Sequence, residues 1–372
     1  MDTPSTDAKD QTANSEAIRR ARSDNPKMRE RDLAKHLGIS EAEYVAAWCG
    51  ISATRIEPKA NLVLERMESL GEVMALTRNE SAVHEKTGVY DKVYTSRKGA
   101  IVLGEDIDLR ILDDNWAHGF AVEKNADDGL ARSLQFFDHH GDAVHKIHLR
   151  PKSNVAAYED LVSSLKSDDQ NCAVAVQPLE AQTASSIRID DAELAELRHE
   201  WVSMNNVHQF MGILKKFGLT RHQAISAIDN ELAWRLDDSA LTSMLNVAAG
   251  EEIPIMCFVG SRGVIQIHTG PIKHIKTMGP WINIMDPGFH LHLRLDHIAE
   301  LWAVRKPNRD GHVTSMEAYD ANHKLIIQFF GQRREGDDER GDWRLLIENL
   351  PKMTSFTAVK GEGRSVTSGV ST

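Results

Sequence analysis

The chain has 372 residues, 41% of them hydrophobic and 27% charged, enough for a sizeable core in two domains or one duplicated unit. Its 44 basic and 55 acidic residues leave a net charge of −11, which excludes broad electrostatic binding to nucleic acid or anionic lipid unless a local basic patch overrides it. No stretch reaches the ~18–20 consecutive apolar residues of a membrane span, and Cys49, Cys172 and Cys257 form no CxxC pair, so a cofactor must be held by something other than a cysteine cluster.

In chain order, Met1–Ser15 is polar, carries acids and lacks an apolar h-region. It is expected to be disordered and not to act as a secretory signal. With three free thiols, the expected compartment is the cytoplasm. Asn25-Pro26 predicts the start of a helix, with proline tolerated in the first turn. Asp32–Ser40 resembles a helix-turn-helix, with Arg19, Arg20, Arg22, Lys27, Arg29 and Arg31 before it. Ser40 and Glu43 form a capping box for a helix over Glu41–Trp48. Glu41 and Glu43 at its start have the wrong charge to meet phosphates, so a packing hairpin is predicted. A DNA-binding regulator using segment 32–48 stands as the alternative function.

Short period-two runs follow at Ala100–Leu103, Asp108–Leu112, Leu134–Phe137 and Val144–Leu149, punctuated by Asp128-Gly129 and Gly141. A helix over Val155–Leu165 closes this part, and the polar stretch Lys166–Ile189 reads as a linker. A long helix is predicted over about Ala192–Phe217, and Thr220 with Gln223 forms a second capping box ahead of a helix over Ala224–Leu236. Strand runs return at Ile255–Val259, Val264–His268, His290–Leu295 and Leu325–Phe330, with a turn at Asp310-Gly311 and a helix over Trp343–Leu350. The end, 359–372, is small and polar and expected to be disordered.

Shifting the chain by 182 residues aligns Val73–His148 with Ile255–Phe330 without a gap. Identities include Met74/Met256, Thr87/Thr269, Gly88/Gly270, Leu109/Leu291, Val122/Val304, Lys124/Lys306 and Ser133/Ser315. One offset held over so long a span indicates an internal duplication. The expected fold class is α+β, a repeated helices-then-antiparallel-sheet unit giving two large antiparallel sheets with flanking helices. The expected domains are 16–165 and 190–352, joined by the linker 166–189.

His208 lies in Val207-His208-Gln209-Phe210, beside an apolar stripe of Val207, Phe210, Met211 and Leu214, with Met204 four residues before it. An imidazole on a Met-lined apolar face suits haem iron, although a helical His beside a core stripe is usually only a partly buried His. Spacing does not separate the two readings. The ordered set of longer segments does. NPKMRERDLAKHLGISEAE, LGEVMALTRNESAVHEKTGVY and DLRI in the first half resemble, in sequence order, the HemS/HmuS/ChuS-type haem-utilisation family. In the second half NVHQFMGILKKFGLTR, DHIAELWAVRKP and AYDANHKLIIQFFGQR continue the resemblance, which runs from about residue 17 to 350.

The resemblance implies a cytoplasmic protein of haem-iron uptake that binds one haem b per chain, traffics it, and in some relatives degrades it with dioxygen and a reductant. It implies His208 as the axial ligand of the haem iron and Arg110 over the opposite haem face, where it would also serve any catalysis. Arg221, Phe258, Lys306, Gln328 and Arg333 are implied as the remaining haem contacts, cations for propionates and Phe for a flat apolar wall. Taken without the family, each reads as an ordinary surface, core or strand residue. The implied partners are an inner-membrane haem ABC transporter and a downstream haem oxygenase or reductase, with no stable nucleic acid and no membrane span.

Other signals weigh less. His84 pairs with Gln266 at the offset and is a candidate for a second or transient haem contact, against an ordinary surface histidine. Asp138–Asp142 with His139, His140, His145 and His148 has no recognised metal-ligand spacing and reads as a turn between strands. His290 and His292 alternate as strand residues do, at the edge of a core. No GxGxxG, P-loop or GxSxG motif is present, so nucleotide-dependent and serine-hydrolase readings lack support.

Overall fold

The computed structural model describes residues 6–127, 129–179, 189–309, 311–334 and 338–353, with side chains from Asn14 onward. The turn residues Asp128 and Asp310, part of the linker and the tail 359–372 lie outside the described residues. Three helices open the first half, α1 (Thr6–Asp24), α2 (Glu30–Leu37) and α3 (Glu41–Ala46). β1 (Ala53–Ile56) and α4 (Ala60–Met67) come next. Eight strands follow, β2 (Val73–Arg78), β3 (Ala82–Gly88), β4 (Val93–Ser96), β5 (Gly99–Leu103), β6 (Asp108–Leu112), β7 (His118–Ala126), β8 (Gly129–Phe137) and β9 (Ala143–Leu149), before α5 (Val155–Leu165).

The second half repeats the order. It opens with α6 (Asp191–Val202), α7 (Gln209–Phe217), α8 (Arg221–Ala227), β10 (Ala233–Leu236) and α9 (Ala240–Gly250). Its strands are β11 (Ile255–Gly260), β12 (Val264–Gly270), β13 (Ile275–Met278), β14 (Trp281–Asp286), β15 (Phe289–Arg294), β16 (Glu300–Asn308), β17 (Gly311–Tyr319) and β18 (Leu325–Gly331), closed by α10 (Gly341–Glu348). Strands β11–β18 repeat β2–β9 at the 182 offset, bulges included, since the register slips at Phe136/Phe137 and again at Ala318/Tyr319.

The strands do not stay with their own halves. One nine-stranded sheet runs β1-β7-β8-β9-β2-β3-β15-β14-β13, and the other runs β10-β16-β17-β18-β11-β12-β6-β5-β4. Each half therefore lends a three-stranded arm to its partner's sheet, joined at the antiparallel seams β3–β15 and β12–β6. The alternation of the strands then builds two cores. Leu109, Val102 and Ala100 of the lent arm close a core with Leu134, Phe136, Ile147 and the α4 and α5 residues Val63, Met67 and Leu161. Leu291, Leu293 and Ile284 close the second with Cys257, Phe329, Met316 and Trp343. Lys86 and His268, one repeat apart, meet between the sheets at 3.2 Å.

Outside the sheets, α1–α3 pack on Phe120, Val122 and Phe137, and α6–α8 pack on Trp302, Val304 and Tyr319. The hairpin α2–α3 is the counterpart of α7–α8. Gly38 and Gly218 both end a helix in the left-handed conformation that favours glycine, and Ser40 and Thr220 both cap the next helix with a reciprocal box.

This repetition accounts for the helix-turn-helix likeness. Leu33, Ala42, Tyr44 and Val45 are core residues, Arg19 and Arg22 donate to the Ala47 and Met28 carbonyls, and Arg31 pairs with Glu80. Glu41 pairs with Arg78 and with Lys146.

Several sequence expectations change. Helix α1 starts at Thr6, so disorder does not extend to Ser15, which is itself buried. Asn25-Pro26 falls in the connection after α1, because Asn25 closes that helix by bonding Ala21 through both its backbone and its side chain. The helix predicted over Ala192–Phe217 breaks at Ser203–His208, where the Asn205 and Asn206 N–H groups donate to the Gln209 side chain. The helix predicted over Ala224–Leu236 ends at Ala227, because Ala233–Leu236 pairs with β16 as an edge strand. No helix of the described residues is long and apolar enough to cross a membrane.

Candidate functional site

Cross-strand partners in an antiparallel ladder point to the same face, so the register maps the outer face of the second sheet. Glu317, Gln328, Phe258, Ile267 and Asp108 stand in one such row across β17, β18, β11, β12 and β6. The neighbouring pairing sets Arg110 opposite Ile265 on one side and opposite Ile101 on the other. Ile265 is 40% exposed and Ile101 42%. Arg110, 38% exposed, pairs with Asp108 and donates to the Leu109 carbonyl at 3.2 Å. The result is an arginine set between two exposed aliphatic side chains, with the partly exposed Phe258 on the same face, two strands away in the adjacent row.

At the other end of the row sits a buried carboxylate. Glu317 accepts two hydrogen bonds from Arg221 (2.7 and 2.6 Å), one from Lys306 Nζ (3.2 Å), one from Gln328 Nε2 (2.9 Å), one from Ser315 (2.8 Å) and one from Tyr319 (2.6 Å). Burial alone would push the Glu317 carboxyl up, but Arg221 and Lys306 hold it well below the usual carboxylate range. Burial, with Arg221 beside it, pushes the Lys306 ammonium down to about 8. Three candidate haem contacts, Arg221, Lys306 and Gln328, thus converge on one carboxylate. Lys306 also lies over the rings of Phe210 (5.1 Å) and Phe330 (5.7 Å), and Phe330 meets Phe258 edge-on at 5.1 Å. This links the first turn of α7 to the apolar surface. Arg333 follows β18, half-buried, just beyond Phe330.

His208 is the residue immediately before α7, exposed, with its own N–H donating to the Asn206 side chain at 2.8 Å. It therefore sits at a helix start, not within the long helix predicted. The Met-lined stripe is also revised: Met204 is buried against Trp201 and Phe210, whereas Met211 is 63% exposed. The buried side of α7 consists of Phe210, Ile213 and Leu214.

His84 is corrected in both readings. It is fully buried between the sheets, tilted on Phe289 at 5.0 Å, and neither ring nitrogen has a hydrogen-bond partner among the described residues. A ligand reaches it only if the sheets part. The Asp138–Asp142 segment is a turn: Asp138 accepts the N–H groups of His140 and Asp142 and pairs with Arg262, while buried His145 lies between Thr77 and Tyr90. His290 and His292 lie on the open outer face of the first sheet, half-buried, and not at a core edge.

Sequence reasoning missed Glu317, Tyr319 and Phe330. The signal for Glu317 was a single acid inside Val313–Tyr319, a run in which every side chain is buried. A lone carboxylate there requires buried cations around it.

The chain is a duplicated, strand-exchanged α+β protein whose second sheet bears exposed aliphatic side chains, an arginine and a cation-ringed carboxylate on its outer face. The model of the haemin-degrading HemS/ChuX domain matches twice, over residues 38–165 and 218–350. The chain is 39% identical over 331 residues to the hemin transport protein HmuS of Yersinia pestis, covering 89% of this chain and 95% of that protein. Its fold matches the heme-binding protein PhuS of Pseudomonas aeruginosa in its holo form, with a TM-score of 0.88 and 41% identity over 92% of this chain and 99% of that one. It also matches the heme-degrading enzyme ChuS of Escherichia coli O157:H7, with a TM-score of 0.82 and 35% identity over 92% and 99% of the two chains. The chain belongs to the HemS family.

Proposed function

We propose that this protein binds one haem on the outer face of its second sheet and carries it in the cytoplasm during haem-iron uptake. The observation behind this reading is Arg110 flanked by exposed Ile101 and Ile265, on the same sheet face as Phe258, which Phe330 links to the Arg221–Glu317–Lys306 cluster. An apolar wall suits the porphyrin plane, and Arg221 and Arg333 suit its propionates. His208 supplies the iron ligand, because a neutral imidazole nitrogen is the donor that haem iron takes and His208 is exposed two residues from Phe210. Bound haem supplies a redox-active iron and its own chromophore. Arg110 supplies a permanent cation and hydrogen-bond donors for the opposite face of the ligand. Haem arrives from an inner-membrane transporter and passes to an oxygenase or reductase.

Turnover of the haem is the second reading, favoured by the heme-degrading activity named for the Escherichia coli relative. Titration read by the Soret band tests both. His208→Ala is expected to weaken haem binding by tenfold or more and to change the ferric spectrum. Arg110→Ala is expected to keep binding within a few-fold but to alter the spectrum and slow the reaction of bound haem with ascorbate in air. An unchanged spectrum and affinity in His208→Ala would place the ligand elsewhere. Bound haem that survives ascorbate and air in the wild type would leave carriage alone.

A further inference from the structure

The outer face of the first sheet carries a second constellation, on the other seam. There β15 pairs with β3 so that His290 stands directly opposite Glu85, and His292, two residues on, points to the same side. One ligand atom from each of Glu85, His290 and His292 lies within 4.8 Å of the other two. His290 Nδ1 is 3.4 Å from a Glu85 carboxylate oxygen. All three side chains are half-buried, which leaves them open to an ion from solvent.

The neighbouring strand orients one ligand. Buried Asn283 donates through Nδ2 to the Lys276 carbonyl at 2.9 Å, which turns its Oδ1 toward His292 Nδ1 at 2.7 Å. An amide oxygen only accepts, so His292 carries its proton on Nδ1 and presents a lone pair on Nε2. This is the buried support that metal-bound histidines usually have.

The duplication supplies an internal comparison. At the 182 offset, His290, His292, Glu85 and Asn283 replace Asp108, Arg110, Ile267 and Ile101. The same four places that hold two isoleucines and an Asp–Arg ion pair on one sheet hold two imidazoles, a carboxylate and an orienting amide on the other. Two neutral nitrogens and one carboxylate are the donor set of first-row divalent ions, with positions left for water, whereas magnesium and calcium prefer oxygen ligands throughout.

We propose that Glu85, His290 and His292 form a binding site for one first-row divalent transition-metal ion across the β3–β15 seam. The other three-ligand cluster among the described residues, His222, Glu300 and His323, is a weaker candidate. There Glu300 already pairs with Arg235 at 3.1 Å and accepts from Trp302 at 2.7 Å, and the two imidazoles stack at 4.0 Å. The proposal does not depend on the haem reading.

The test uses the full chain stripped of metal and titrated with Co(II), followed by its visible absorption, and with Zn(II), followed by calorimetry. One equivalent is expected to bind, and 1 mM Mg(II) or Ca(II) is not expected to compete. Glu85→Gln and His292→Ala are expected to weaken the ion at least tenfold, and Asn283→Leu by roughly 10- to 100-fold through loss of the orienting bond. His208→Ala and His323→Ala are expected to retain it. Zn(II) should raise the melting temperature of the wild type but not of His292→Ala, because a ligand of the folded state alone stabilises it. Absence of binding, or binding equally strong in Glu85→Gln and His292→Ala, overturns the proposal. So does loss in His323→Ala with retention in His292→Ala, which moves the ion to the other cluster.

Discussion

Glu317 decides the energetics of the second half's outer face. A fully buried carboxylate is tolerated only when its lone pairs are met, and here Arg221, Lys306, Ser315, Tyr319 and Gln328 all donate to it. Removing it leaves the buried Lys306 ammonium facing the half-buried Arg221 guanidinium with no counter-charge. Glu317→Ala is therefore expected to cost about 3–5 kcal/mol in chemical denaturation, far more than Arg333→Ala on the loop. A loss below about 1 kcal/mol would mean that the cluster relaxes into solvent. The individual haem contacts were legible only through the resemblance, because Arg221 and Lys306 look like surface cations when read alone. What the sequence does not display is that their partner is an acid up to 96 residues away along the chain.

At the scale of elements, the strands were legible and so were several helices, Val155–Leu165 to the residue and the one after Ser40 from its capping box, whereas the helices between residues 192 and 236 were not. Period-two runs such as Asp108–Leu112 became strands because each buries one side against a core. The stripe over Ala192–Phe217 failed because its periodicity survives a break in which side chains of Asn206 and Gln209 bond the backbone. The strands also carry an unusual load of buried imidazoles. Burial pushes His145 and His268 down to about 3, and pushes His84 well below its ordinary 6.5.

The unfolded chain binds these protons first, so stability is complete above pH 6.5 and falls as pH drops toward the folded values. Each such group contributes a slope of about 1.4 kcal/mol per pH unit. Glu339, pushed up to about 7 by burial, and Asp108, also raised by burial, act in the opposite direction, but His148, pushed down to about 4, joins the three imidazoles on the other side. The denaturation midpoint is expected to fall clearly from pH 7 to pH 5, and less steeply in His145→Gln. A flat profile would show that the imidazoles titrate as free ones.

For the whole molecule, the exchanged arms matter more than the linker. An engineered protease site within 180–188, once cut, is expected to leave two fragments that elute together. The β6–β12 and β15–β3 ladders hold each arm in the other half's sheet. Separate elution without denaturant would refute that. The duplication was legible from one offset, but the exchange was not, since a shift of the chain against itself does not say which copy of a strand pairs with which.

The exchange also bears on how the two copies were free to drift apart. Each copy gives one strand to each seam, β3 and β6 from the first and β12 and β15 from the second, so a residue gained inside one of these strands would throw that seam out of register. The spacing of 182 is kept without a gap from β2/β11 to β9/β18, across both seams. Helices α1–α3 pack on Phe120, Val122 and Phe137 and α6–α8 on Trp302, Val304 and Tyr319, and there the spacing is 180, as between Gly38 and Gly218. Register constrains the backbone and not the side chains, and one seam holds Asp108 and Arg110 where the other holds a pair of histidines.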